Sequence, residues 1–75
     1  MQEYIVIEIQ VSEQGTASTI VAAYSDYWTA QQKYHTILAA AAVSALPVHS
    51  AAILTPFGDT IEKQAYNRMT VNNDE

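Results

Sequence analysis

The side chains best suited to catalysis or metal binding are two histidines, His35 and His49. A metal-binding pair on a helix normally occupies positions i and i+4, and these two histidines do not have that spacing. Nucleophilic catalysis needs a hydroxyl beside a histidine that a carboxylate orients. Ser50 follows His49, but adjacent strand residues point to opposite faces of a sheet. We therefore predict surface or half-buried histidines, with no catalytic residue, metal or other cofactor.

Paired acid–base chemistry and phosphate binding have equally little support. The carboxylates of the folded region are spread over predicted strands and turns, at Glu3, Glu8, Glu13, Asp59 and Glu62. A phosphate-binding loop needs several glycines, whereas Gly15 and Gly58 stand alone and each fits a turn. The sequence thus predicts a protein that is not an enzyme.

Composition narrows the choice of partner. The net charge is −5 and the three basic residues, Lys33, Lys63 and Arg68, are scattered. Binding to a nucleic-acid backbone needs clustered Lys and Arg, so neither nucleic acid nor an anionic membrane surface is an expected partner. The N-terminus lacks a signal-peptide pattern, and the apolar run 37–46 is too short to span a bilayer. We expect a soluble, cytoplasmic protein.

Length and cysteine content limit how the chain can be stabilised. Seventy-five residues make one domain, and the absence of cysteine excludes both disulfides and zinc–thiolate sites. Domains of this size often depend on oligomerisation for stability. A tightly packed core or self-association is therefore expected.

One long helix is predicted over residues 25–46. Apolar residues recur there at the three-or-four spacing of one helical face, at Tyr27, Ala30, Tyr34, Ile37, Leu38, Ala41 and Ala45. Ser25 or Asp26 can cap the first turn, and Pro47 ends the helix because it disfavours helical geometry in the residue before it.

Strands are predicted on both sides of this helix, over residues 3–11, 17–24, 48–55 and 60–68. In the first strand Ile5, Ile7, Ile9 and Val11 alternate with other residues, and we expect these odd positions to face the helix. The result is an α+β fold, ββαββ, with one helix packed on a four-stranded antiparallel sheet. The predicted strand order is 2-1-3-4, with 2-1-4-3 as the alternative. Residues 1–68 form the domain and 69–75 a flexible acidic tail.

A second stripe of the helix is the predicted interface of a homodimer or larger assembly. It contains Tyr27, Trp28, His35, Ala39, Ala42, Val43 and Leu46. Its small side chains allow close approach, and its aromatic residues supply contact area at low entropy cost. In the alternative interpretation Trp28 packs over the sheet edge and the alanines only favour helix formation. The uncovered sheet face, expected to show Tyr4, Val6 and Glu8, is a second candidate surface.

The segment from Lys33 to Asp59, KYHTILAAAAVSALPVHSAAILTPFGD, resembles short uncharacterised proteins encoded in bacteriophages and prophages of Firmicutes, often beside structural genes. The resemblance covers about a third of the chain. It implies a small structural or assembly accessory protein of a phage, located in the host cytoplasm or associated with the virion. It assigns no activity to any residue.

Three classes of function follow. The first is a self-associating interaction module, which could also bind other phage or host proteins. The alternative is an acidic inhibitor or DNA mimic on a basic host site, although 15% charged residues is low for a mimic. The third is a small-ligand binder with a pocket between helix and sheet, for which so short a chain leaves little room.

Overall fold

The fold is one four-stranded sheet with a single helix on one side, in a computed structural model that describes residues 3–68. Its elements are β1 Tyr4–Val11, β2 Ala17–Tyr24, α1 Tyr27–Ala42, β3 Val48–Leu54 and β4 Thr60–Asn67. All strand pairs are antiparallel and the order is β2-β1-β3-β4. This confirms the predicted α+β, ββαββ fold and the order 2-1-3-4. The predicted acidic tail, 69–75, lies outside the described residues.

Two tight turns fix the register of the hairpins. Gly15 has φ of 85° and Gly58 has φ of 93°, in the left-handed region that favours glycine. The amide of Gly15 donates to the carbonyl of Ser12, and the amide of Gly58 donates to that of Thr55, both at 2.9 Å. Both predicted turns are confirmed.

The helix begins as predicted. The carboxylate of Asp26 accepts hydrogen bonds from the backbone amide of Thr29, at 2.8 Å, and from the Thr29 hydroxyl, at 2.9 Å. These bonds hold the pKa of Asp26 below its ordinary value, with the backbone bond the larger cause. They also satisfy an N–H group of the first turn, which has no partner within the helix.

The helix ends at Ala42, before the predicted end at Leu46. The amides of Val43 and Ser44 bond to carbonyls three residues earlier, which tightens the chain into a turn. The guanidinium of Arg68, next to the end of β4, donates to the carbonyl oxygens of Ala41 and Ala42 at 2.9 Å each. A distant side chain therefore bonds to two carbonyls of the last turn, and the helix ends at Ala42 instead of directly before Pro47.

The core lies between the helix and β1 and β3. Its buried members are Val6, Ala30, Tyr34, Ile37, Ala51 and Ile53. The predicted inner face of the helix is confirmed at Ala30, Tyr34, Ile37 and Ala41, which are all buried. Ala45 lies beyond the helix and is exposed.

The sheet presents the opposite side of β1 to the helix from the one predicted. Val6 is buried against the helix and lies opposite Ile53, whereas Ile5, Ile7, Ile9 and Val11 are only half-buried. The expectation that these odd positions face the helix is wrong, and Tyr4, Val6 and Glu8 lie under the helix instead of on the uncovered side. The physical reason is that both alternating sets of β1 side chains include apolar residues, so the period of two alone does not decide which set faces the helix.

Candidate functional site

The uncovered side of the sheet is strongly apolar. Strand alternation and the observed register place fifteen side chains on it, and we call this surface the open face: Ile5, Ile7, Ile9, Val11, Ala17, Thr19, Val21, Ala23, Val48, Ser50, Ala52, Leu54, Lys63, Ala65 and Asn67. The only helix in residues 3–68 packs on the opposite side. Ten or so adjoining apolar side chains on one exposed surface are unusual for a soluble monomer.

The open face is not flat, because it has a ridge of large side chains and a hollow beside it. β1 carries Ile5, Ile7 and Ile9, which we call the isoleucine ridge. Beside it lies a hollow of about 380 Å³, which we call the alanine trough. Its open-face lining is Ile9, Ser50, Ala52, Lys63 and Ala65. The trough exists because β3 and β4 carry small residues where β1 carries isoleucine: Ala52 lies opposite Ile7, and Ser50 opposite Ile9.

Charge is nearly absent from the open face. Lys63 is its one charged member, although the chain carries a net charge of −5. The acidic side chains of residues 3–68 lie in turns, at element ends or on the helix side, at Glu3, Glu8, Glu13, Asp26, Asp59 and Glu62. The electrostatic repulsion between two acidic copies is therefore weakest at this face.

The predicted helix interface is on the solvent side. Trp28 is 74% exposed and Val43 is 86% exposed. His35, Ala39 and Ala42 are exposed, whereas Tyr27 and Leu46 are half-buried. We call this set the helix stripe. Its role in contacts stays a prediction, as does the alternative interpretation in which Trp28 packs over the sheet edge.

A polar network links the helix to β4. The side-chain amide of Gln31 donates to the Tyr27 hydroxyl and to the carboxylate of Glu62, at 2.8 Å each. The carbonyl oxygen of Gln31 can only accept, so His35 donates to it through Nε2 at 3.0 Å. His35 is therefore held in a structural network along the helix flank.

Aromatic residues gather at the start of the helix. The ring of Tyr27 contacts those of Tyr4 and Trp28, with centroids 5.4 Å and 4.9 Å away and edge-to-face geometry. An open cleft of about 440 Å³ adjoins them, and Phe57, 91% exposed, stands on its rim. Tyr34 belongs instead to the core, where burial and then the charge of Glu62 raise the pKa of its hydroxyl.

The second histidine forms a buried pair under the helix. His49 Nε2 lies 2.6 Å from the carboxylate of Glu8, which also accepts from Gln10 at 2.9 Å. Burial alone would raise the pKa of Glu8, but the bonds from His49 and Gln10 and the charges of His49 and Lys33 outweigh it, so the pKa lies below its ordinary 4.5. The pair is thus a buried hydrogen-bonded contact between the Glu8 carboxylate and the His49 imidazole.

This pair resembles part of a catalytic triad, but His49 is only 5% exposed. His49 Nδ1 is buried without a partner, and Ser50, as predicted, points to the other face of the sheet. The two histidines do not share a site, since His35 bonds to Gln31 and His49 to Glu8. Within residues 3–68 no three acidic, histidine or cysteine side chains are grouped as metal ligands would be.

Comparison with protein-family models, with curated proteins and with solved structures gives no match. The part of the chain that is described has no helix of the length and apolarity needed to cross a bilayer. The contact surfaces therefore carry the functional argument. The isoleucine ridge was visible in the sequence as an alternating run, but that run was assigned to the core.

Proposed function

We propose that this protein is a non-enzymatic interaction module that self-associates. The observation that carries the proposal is the open face, a whole side of the sheet with aliphatic side chains and a single charge. Leaving such a surface in water is unfavourable by roughly 25 cal/mol for each Å² of apolar area. A second protein surface over the sheet removes that cost.

The helix stripe is a second candidate contact surface. Trp28 and Val43 are among the most exposed large apolar side chains of residues 3–68. Tryptophan is a frequent anchor of protein interfaces because it combines a large rigid area with a polar N–H group. The two surfaces lie on opposite sides of the molecule, so a module could use one for a second copy and the other for a different protein.

The resemblance to short phage proteins supports an accessory role in phage structure or assembly. Small self-associating modules suit such a role because repeated copies can cover or join a larger assembly. The acidic-inhibitor alternative has less support, since Glu8 is bonded to His49 beneath the helix and the other carboxylates of residues 3–68 are dispersed. Partners on this proposal are copies of the chain and other phage or host proteins.

The test is the solution mass of the purified protein by light scattering across a dilution series. We expect twice the chain mass of 8.2 kDa, or a higher multiple, falling towards 8.2 kDa on dilution. A mass of 8.2 kDa at every concentration up to the millimolar range would contradict self-association.

A further inference from the structure

The relief of the open face is self-complementary. The isoleucine ridge stands on β1, one strand from the sheet edge, and the alanine trough lies along β3 and β4, in the other half of the sheet. Consider a second copy related to the first by a twofold axis that runs parallel to the strands and between β1 and β3. The two open faces then meet, and β1 of each copy lies over β3 of the other. The isoleucine ridge of each copy then meets the alanine trough of the other, so the same contact forms twice.

We propose that a second copy of this chain docks on the open face in this arrangement, sheet against sheet, with each isoleucine ridge seated in the alanine trough of the other copy. The inference rests on the proposed function and specifies its surface and geometry. It places Ile7 of one copy over Ala52 of the other, because those two residues share one level along the strands.

The alternative symmetry is sterically worse. A twofold axis across the strands would place β1 over β1 and press two isoleucine ridges together, while both troughs stayed empty. Interiors pack at the density of organic crystals, and hollows forfeit dispersion contacts. The trough of about 380 Å³ has room for branched side chains, and the ridge provides them.

The area suffices for a specific but reversible dimer. Four strands about 4.8 Å apart and roughly eight residues long, at about 3.3 Å each, make a face of about 500 Å². Two such faces bury about 1,000 Å², which is near the lower limit for a specific interface. We therefore expect dissociation on dilution through the micromolar range.

The distribution of charge also favours a second copy of this chain as the partner of the open face. A foreign acidic or basic partner would be selected by charge at the interface, but the open face offers only Lys63. Two copies bring two Lys63 side chains towards the edges of the interface, where a long side chain can keep its ammonium group in water. The other charges of residues 3–68 stay outside the contact.

The experiment compares three charged variants by light scattering and sedimentation. Ile7→Lys and Val21→Lys place a charge on the open face, and Ala42→Glu places one on the helix stripe. Gln14→Lys, in the exposed turn after β1, is the matched control. We expect both open-face variants to weaken the dimer at least about tenfold, because each dimer loses two apolar contacts, whereas Ala42→Glu and Gln14→Lys leave it unchanged.

Val21 is 59% exposed, so its variant remains informative if Ile7→Lys fails to fold. Dissociation by Ala42→Glu with no effect of Val21→Lys would overturn the open-face inference and leave self-association standing. A wild-type protein that is monomeric throughout would overturn both.

Complementation tests the symmetry. Ile7→Lys and Ala52→Asp should each dissociate, and an equimolar mixture should recover dimer, because the lysine of one copy then faces the aspartate of the other. Recovery in the mixture supports the axis along the strands. Two dissociated variants that stay monomeric when mixed would overturn that geometry.

Discussion

At the scale of single residues, the pair of Glu8 and His49 shows how a small core accommodates charge. The bond of 2.6 Å joins β1 to β3 beneath the helix, where neither side chain has much solvent. A buried hydrogen bond in such a place stabilises the fold only while both partners remain, because removing one leaves a buried polar group unpaired.

Replacing Glu8 by Gln should lower the free energy of unfolding by about 1–2 kcal/mol at neutral pH, since a hydrogen bond to a charged group is exchanged for a neutral one. Chemical denaturation measures the difference. Glu13→Gln, at an exposed turn position, is the control and should change stability little.

The same pair predicts a loss of stability in acid. Folding lowers the pKa of Glu8 below its ordinary 4.5, so the ionised carboxylate is favoured in the folded chain. The resulting contribution is fully present above pH 4.5 and disappears as the pH falls through the lower folded value. We expect the difference in the free energy of unfolding between wild type and Glu8→Gln to disappear over that pH range. A difference that does not depend on pH would refute this role of Glu8.

At the scale of elements, the end of the helix depends on a contact across the chain. Arg68 donates to two carbonyls of the last turn, and its own amide bonds to the carbonyl of Pro47 at 2.6 Å. A cation at the C-terminal end of a helix also interacts favourably with the helix dipole. The end of β4 and the end of α1 thus stabilise each other.

Arg68→Met keeps much of the apolar stem and removes the donors. We expect the amides of Val43 and Ser44 to exchange hydrogen about twofold to fivefold faster, as the last turn opens more readily. Hydrogen exchange measured by NMR gives the rates. Lys33→Met, a cation in the middle of the helix, should leave those two amides unchanged, and equal acceleration by both variants would count against a local cap.

In each element, the features that depend on residues close in sequence are predicted correctly. The glycine turns, the Asp26 cap and the inner helix face at Tyr34 and Ile37 follow from short-range rules, and all are observed. The predicted helix end at Leu46 is too late, and the contact of Arg68 with the last turn comes from a distant part of the sequence, which local rules do not cover. The side of β1 that meets the helix was assigned wrongly, because both sets of alternating side chains include apolar residues.

At the scale of the whole molecule, the side of β1 that faces the helix decides which side chains the sheet offers for contacts. Alternation alone cannot tell a core face from a contact face when both are apolar. The odd positions of β1 form an unbroken apolar set, but Val6 is the β1 side chain that is buried under the helix, opposite Ile53, and Ile5, Ile7 and Ile9 lie outside the core. The most apolar side of the sheet therefore becomes its outer surface, and the second candidate surface carries the odd positions of β1 instead of Tyr4, Val6 and Glu8.

Added salt should not weaken self-association, whereas it would weaken an interface held together by opposite charges. Each copy carries a net charge of −5, and the open face holds only one charged side chain. Added sodium chloride screens the repulsion between copies, and sulfate further favours burial of apolar surface. Sedimentation should show an equal or larger dimer fraction at high salt. Dissociation by salt would instead indicate contacts between charges, as the acidic-inhibitor alternative requires.

The most direct test of the account is methyl NMR of isoleucine-labelled wild-type protein across a dilution series. The signals of Ile5, Ile7 and Ile9 report on the open face, while Ile37 and Ile53 lie in the core and serve as internal controls. We predict that the three ridge signals shift with concentration and that the two core signals stay in place. Ridge signals that do not change over a range in which the mass changes would contradict docking through the open face.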